Sequence, residues 1–228
     1  SPAGGSFQNY MLFLLSINSA RKTILIANPY FIPDDVMTEA LLKAVRRGVH
    51  VTVLAPGKID SRLTYTVSRS HYGRLLLGGA EIFEYQAALM HAKTMVIDGI
   101  WATIGSTNFD NRSFALNQEL NLTVYDASLA RRLEVIFQDD LKYSKKITYE
   151  EWNSRSVFER LFELLHPRDH LVEVRARGLV GDVGPGLLRL HAAGPRGPDD
   201  HARGDHVVVA AHVVVVLAEP ARHHQRVR

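Results

Sequence analysis

The chain contains no cysteine. That absence excludes disulfides, thiolate nucleophiles and cysteine-ligated metals, and it leaves the compartment unreadable from redox chemistry. Long apolar runs are absent too, since nothing reaches the roughly 18 residues that cross a bilayer. "MLFLLSI" (Met11 to Ile17) is short, lacks a basic leader and reads as one face of a first helix. "VVVAAHVVVVLA" (Val207 to Ala218) is equally short and is interrupted by His212. Charge of one sign is scarce: the formal net charge is +3. That balance permits an anionic partner and argues against a dedicated nucleic-acid groove. The 228 residues, 46% of them hydrophobic, are ample for a packed core.

A second kind of absence divides the chain. From Pro167 to Arg228 there is no Lys, Ile, Asn, Phe, Tyr, Trp, Met, Ser or Thr, and seven of the eleven His fall here. A Gly/Pro-interrupted segment without aromatics lacks the means to build a core. Its residues are mostly those of GC-rich codons, which suggests a shifted reading frame, with a natural disordered tail as the alternative. We therefore expect a domain over residues 1–166 and a low-complexity tail over 167–228. The chain opens on Ser rather than Met, so a fragment of something longer is expected.

The first part alternates strands and helices. Residues 7–20 read as a helix and "KTILIAN" as a buried strand ended by Pro29. "PDDVMTEALLKAVRRG" carries a capping Asp34 or Asp35, a periodic apolar face, two arginines in its last turn and a terminating Gly48. "VHVTVLA" and "AEIFEY" are strands flanking a helix over 61–77. A hairpin follows around Asp98-Gly99, then the strand "QELNLTVYD" and a helix over 127–142. This pattern predicts an α/β fold, a mixed sheet with helices on both faces.

Chemistry concentrates in "LMHAKTMVIDGIWATIGSTNFDNRSF", residues 89 to 114. Alternation on a strand would put His91 and Lys93 on one face with Met95 and Ile97, projecting in parallel about 7 Å apart. A two-residue turn at Asp98-Gly99 would set Ile97 opposite Ile100, Lys93 opposite Ile104 and His91 opposite Ser106, with Asn108 joining them. Lys93, Ser106 and Asn108 would donate hydrogen bonds to phosphate oxygens, and Lys93 would add charge. A neutral imidazole beside a fixed cation is a competent nucleophile toward phosphorus, and Glu119 could hold its other ring N–H. No metal or other cofactor is needed, because the ligand cluster of a zinc site is missing. Ser106 can equally be a tight-turn residue, and Asn111 and Arg112 can be plain loop residues.

"HAKTMVID" followed by "GSTN" and Glu119 resembles the H-x-K-x4-D signature of the phospholipase D superfamily. The wider stretch over about residues 7–166 is similar to the C-terminal half of bacterial cardiolipin synthases. The resemblance implies a phospholipase D-like fold, a covalent phosphohistidine on His91, and phosphate binding by Lys93 and Asn108, with Glu119 orienting the His. Ser106 and Arg112 join the substrate-binding set. Asp98 completes the motif and is carried with the catalytic residues, although its parity puts it on the opposite face, at the turn, where a structural role is the better reading. Tyr30 and Phe31 of "NPYFIPD" would line a lipid pocket. The residues 158–165, "FERLFELL", could form a membrane-facing amphipathic helix or pack into the core.

The family's active site uses two H-x-K motifs, and this chain carries one. The expected partner is therefore a second half, either lost from the N-terminal side or supplied by a second copy. The implied activity is phosphatidyl transfer between phospholipids, phosphatidylglycerol foremost, at the cytoplasmic membrane surface of a bacterium. The alternatives are a homodimeric phosphodiesterase or nuclease with water as acceptor, and a non-catalytic half that only binds anionic lipid.

Overall fold

The computed structural model describes residues 8–58, 62–115, 117, 119–155 and 212–217. Helix α1 (Gln8–Ser19) leads into β1 (Thr23–Ala27), a short β2 (Phe31–Ile32), α2 (Asp35–Arg46) and β3 (His50–Pro56). Then come α3 (Arg62–Ser70), α4 (Tyr72–Leu77), β4 (Glu81–Tyr85), β5 (Thr94–Ile97), β6 (Trp101–Gly105), β7 (Phe109–Asp110) and α5 (Asn111–Ala115). The remainder is β8 (Leu120–Tyr125), α6 (Ala127–Leu141), β9 (Ser144–Ile147), α7 (Tyr149–Asn153) and β10 (His212–Leu217). Eight strands form one mixed sheet in the order β10-β8-β6-β5-β1-β3-β4-β9, and β2 pairs with β7 apart from it.

The predicted elements form for identifiable reasons. Asp34 accepts the Met37 N–H at 2.7 Å and caps α2, and Gly48 leaves that helix in the left-handed region at φ +86°. Asp126 caps α6 through the Leu129 N–H. The single helix expected over 61–77 is two, broken at His71. The break turns Tyr72 and Leu75 fully into the core, and Gly73 lets the Trp152 ring lie where a Cβ would stand 2.2 Å from it.

Both faces of the sheet are covered. Ile24 and Ile26 of β1, Val51 and Val53 of β3, and Met95 and Ile97 of β5 meet α1, α2 and α4, with Phe13, Met37, Leu41 and Leu75 at the contact. On the other face Leu25, Leu54, Val96, Ala102 and Val124 receive Ala130 and Phe137 of α6. At roughly 25 cal/mol per Å² of buried apolar surface, such two-sided burial is the main favourable term of the fold.

The central hairpin departs from expectation. Ile97 pairs with Trp101 and Thr94 with Ile104, so the connection holds one more residue than a two-residue turn allows. Asp98 (φ +55°) and Gly99 (φ +65°) are both left-handed, the Ile100 N–H closes on the Ile97 carbonyl at 3.1 Å, and Ile100 is inserted before the ladder begins. Continuing that register puts Lys93 opposite Gly105 rather than Ile104, and the Gly105 N–H donates to the Lys93 carbonyl at 3.1 Å. His91 and Lys93 lie in the segment that precedes β5, not on the strand.

Strands β1, β3 and β4 run parallel, and β5 runs against β1. The entry to β5 and the exit from β6 therefore lie at the same rim as the carboxyl ends of the parallel strands. This is where open α/β sheets leave a crevice. The sheet's margins differ. On β9, exposed Lys145 and Lys146 pair with Glu151 and Glu81. On β8, exposed Leu120, Leu122 and Tyr125 accompany six residue pairs with β10, the one described strand of the 167–228 segment. Residues 158–165 lie outside the described residues. No helix among the described residues is long and apolar enough to cross a membrane.

Candidate active site

Three segments converge on the carboxyl rim: 91–93 before β5, 106–108 after β6, and Asn117 with Glu119 before β8. The first expectation to fail is the parallel projection of His91 and Lys93. Freed from the strand, the two side chains converge. Lys93 Nζ lies 3.2 Å from His91 Nδ1 and 3.4 Å from Nε2, and donates to the His91 carbonyl at 3.0 Å. His91 is exposed and Lys93 half-buried. Burial pushes the Lys93 ammonium below the usual lysine range, and the nearby Glu119 carboxylate opposes that shift.

The second segment is fixed by close packing. At Gly105, a Cβ would stand 1.9 Å from Asn121 Oδ1 and 2.3 Å from the Leu120 carbonyl, so the backbones of β6 and β8 meet at a distance only Gly permits. Beyond it, Ser106 Oγ accepts the Leu120 N–H at 3.0 Å and donates to Glu119. Asn121 Nδ2 donates to Thr107 Oγ1 at 2.7 Å, and Thr123 to Thr103 at 3.1 Å, so a buried polar ladder underlies the loop. Asn108 follows, its Oδ1 buried and without a hydrogen-bond partner among the described residues.

Glu119, 9% exposed, does not hold the imidazole. Its carboxylate receives Ser106 Oγ and, at 3.2 Å, Asn117 Nδ2. The longer hairpin connection removes Ser106 from the position opposite His91 and hands its hydroxyl to Glu119. The sequence signal for this was the pairing of two short polar segments across Gly105, which a simple two-residue turn hides.

The remaining predicted residues separate. Asp98 is not at the rim. Its carboxylate accepts the backbone N–H groups of Arg21 (2.9 Å), Lys22 (2.7 Å) and Thr23 (2.9 Å) and ties the start of β1 to the hairpin turn at the far end of the sheet. Arg112 is exposed on α5, whose first turn is capped by Asp110 through the Ser113 N–H at 2.7 Å. Phe31 is fully buried against Phe109, with ring centroids 5.2 Å apart, so it belongs to the core rather than to an exposed lining. Tyr30 does reach the site: its ring meets the His91 imidazole edge-on, centroids 6.2 Å apart at 82°. Among the described residues no group of three or more His, Cys, Asp or Glu side chains could hold a metal ion.

Chemically, this rim offers an exposed imidazole touching an ammonium, an asparagine whose Oδ1 is an unused acceptor, and a buried carboxylate. An oxyanion that displaced the Lys93–His91 contact would gain a cation while freeing a ring nitrogen to act as nucleophile.

Comparison with known proteins gives the chain's relatives. Residues 14–141 match the family model described as "Cardiolipin synthase, PLD-like domain". The chain is 40% identical over 151 residues to the major cardiolipin synthase ClsA of Bacillus subtilis (strain 168), covering 66% of this chain and 31% of that protein. It is 41% identical over 152 residues to cardiolipin synthase 2 of Bacillus anthracis, covering 67% and 30%. The chain thus spans about a third of the length of the curated relatives it matches. Among solved structures, the phospholipase D family member Nuc from Salmonella typhimurium superposes with a TM-score of 0.55 at 21% identity, over 61% of this chain and 90% of Nuc. Phosphatidylserine synthase of Haemophilus influenzae Rd KW20 gives 0.56 at 15% identity, over 69% of this chain and 41% of that one. Those two likenesses concern the fold.

Proposed function

This chain belongs to the phospholipase D-like domain family of cardiolipin synthases, and from that premise we propose that it supplies one half of a phosphatidyl-transfer site working at a membrane surface. The observation that carries the reading is the contact of Lys93 Nζ with both His91 ring nitrogens at the rim. A cation there binds the diester of a phospholipid, and the nucleophile lies within the same contact.

In the proposed reaction a His91 ring nitrogen attacks the phosphorus of phosphatidylglycerol. The N–P bond forms as the bond to the glycerol headgroup oxygen breaks, and that oxygen takes a proton from a general acid on the second half. The headgroup hydroxyl of another phosphatidylglycerol then attacks the phosphohistidine and returns its proton to the same group. Cardiolipin leaves and His91 is restored. Lys93 and the Asn108 amide stabilise the charge that develops on the phosphoryl oxygens. Glu119 favours the Lys93 ammonium and holds Ser106, so its role is to position the rim.

Support for a missing half comes from the sequence, which has a single H-x-K, and from the third of its relatives' length that it spans. The test is to incubate the full chain, alone and with the product of any adjoining upstream reading frame, with vesicles of phosphatidylglycerol. Intact-mass and lipid mass spectrometry then follow. An acid-labile, alkali-stable adduct on His91 and new cardiolipin, both absent in His91→Ala, are expected. Phosphatidic acid alone would transfer the reading to the hydrolase. An adduct that survives His91→Ala would end the nucleophile assignment.

A further inference from the structure

Where β1 ends, Asn28 is 2% exposed, and its side chain bonds to the backbone of the rim and of Tyr30. Its Nδ2 donates to the Thr107 carbonyl at 3.3 Å, and its Oδ1 accepts the Phe109 N–H at 3.1 Å. Thr107 and Phe109 are the two neighbours of Asn108, so one amide clasps the backbone on both sides of that residue. The same Oδ1 accepts the Tyr30 N–H at 3.2 Å, and the Tyr30 ring stands edge-on to the His91 imidazole. One buried side chain therefore touches the supports of both Asn108 and His91, which stand in the segments after β6 and before β5.

We propose that Asn28 is a positioning residue that holds Asn108 through the flanking peptides and the His91 ring through Tyr30, registering the two sides of the phosphate site against each other. The role requires an amide. Only a side chain with a donor and an acceptor on one planar fork can take a carbonyl and an N–H from the two ends of the same short segment. Aspartate would set an oxygen against the Thr107 carbonyl, and leucine would leave both peptide groups buried without partners. The proposal rests on the reading of His91, Lys93 and Asn108 as a phosphate site.

The test uses the full chain, inorganic phosphate as the probe, and NMR of the His91 ring, the Asn108 side-chain amide and the Tyr30 backbone amide. Asn28→Leu is expected to shift all three resonances in the free chain and to weaken phosphate about tenfold, about 1.4 kcal/mol. Asn28→Ser keeps a hydroxyl that can accept the Tyr30 N–H in a local turn but is too short to clasp Thr107. It is expected to restore the Tyr30 and His91 signals while leaving Asn108 displaced. Ile147→Ala, on the far margin of the sheet, serves as the control: it lowers the melting temperature and leaves phosphate affinity unchanged. Wild-type Asn108 and His91 signals in Asn28→Leu would overturn the proposal, as would an Ile147→Ala chain that loses phosphate equally. A wild-type chain unaffected by phosphate would instead overturn the phosphate site itself, and the free-chain shifts would still decide whether Asn28 positions Asn108 and Tyr30.

Discussion

Replacing Asp98 by Ala should cost stability and spare chemistry, although Asp98 completes the motif that marks the site. Its carboxylate accepts three backbone N–H groups, from Arg21, Lys22 and Thr23 at 2.7–2.9 Å. A hydrogen bond to a charged group contributes about 1.5–3 kcal/mol when well shielded. Two of these three are solvent-exposed, so about 0.5–1.5 kcal/mol each is the better scale. The backbone adds to this. At φ +55°, Asp98 occupies the left-handed region, which Asp and Asn tolerate and Ala resists by about 1 kcal/mol. The sum is about 2.5–5.5 kcal/mol, and at about 2–4 °C per kcal/mol for a domain of this size the melting temperature should fall by roughly 5–22 °C. Asp98→Asn keeps one acceptor oxygen and the left-handed preference, and should lose about a third of that. Thermal unfolding by circular dichroism gives the first quantity. His91 labelling, run well below both transitions, gives the second and should stay within about threefold of wild type, because Asp98 touches no rim residue. An unchanged melting temperature, or a hundredfold loss of labelling in a folded Asp98→Asn chain, would refute the reasoning.

Other consequences can be measured independently. Gly105→Ala drives a methyl into Asn121 Oδ1 and the Leu120 carbonyl; at about 1–3 kcal/mol for overpacking, it should lower the melting temperature by roughly 2–12 °C. It should also disturb Ser106 and Glu119, with the loss of His91 labelling exceeding what destabilisation explains. Glu84, buried on β4 beside Tyr65 and 3.5 Å from Arg69 Nε, is raised above the usual carboxylate range mainly by burial, with Arg69 opposing. The folded chain therefore holds that proton more tightly than the unfolded one. Its contribution is fully present below the ordinary carboxylate range and is lost as pH rises through the folded value. The stability advantage of wild type over Glu84→Gln should accordingly be larger at pH 4 than at pH 7, and an equal or smaller advantage at pH 4 would contradict the sign.

Much of this was legible in the sequence, and the parts that were not share a cause. Strong local signals placed α2, α6 and the strands β1, β3, β4 and β8, because caps, apolar periodicity and terminating glycines act within a few residues. The H-x-K spacing located the rim. The errors came from tertiary decisions. The Asp98 carboxylate binds the start of β1, far away in sequence, and the hairpin takes up an extra residue at Ile100, which no local rule requires. That one-residue change carried Ser106 from His91 to Glu119. Phe31 looked like a pocket residue beside Tyr30, yet the short β2–β7 pairing turns it onto Phe109. The role of Asn28 was invisible for the same reason: its partners lie about eighty residues away.

The two margins of the sheet have unequal consequences for how the chain behaves in a concentrated solution. On β9, Lys145 and Lys146 make a passing strand unwelcome, since docking would strand their charge. On β8 the guard is β10 itself, which occupies the ladder over a stretch bearing exposed Leu120, Leu122 and Tyr125. Whenever β10 lifts away, an open row of amides and carbonyls beside apolar side chains becomes a template for another chain's strand. The colloidal behaviour of the whole molecule thus depends on six residues whose last pair, Leu217 with Leu120, lies one residue from Glu119.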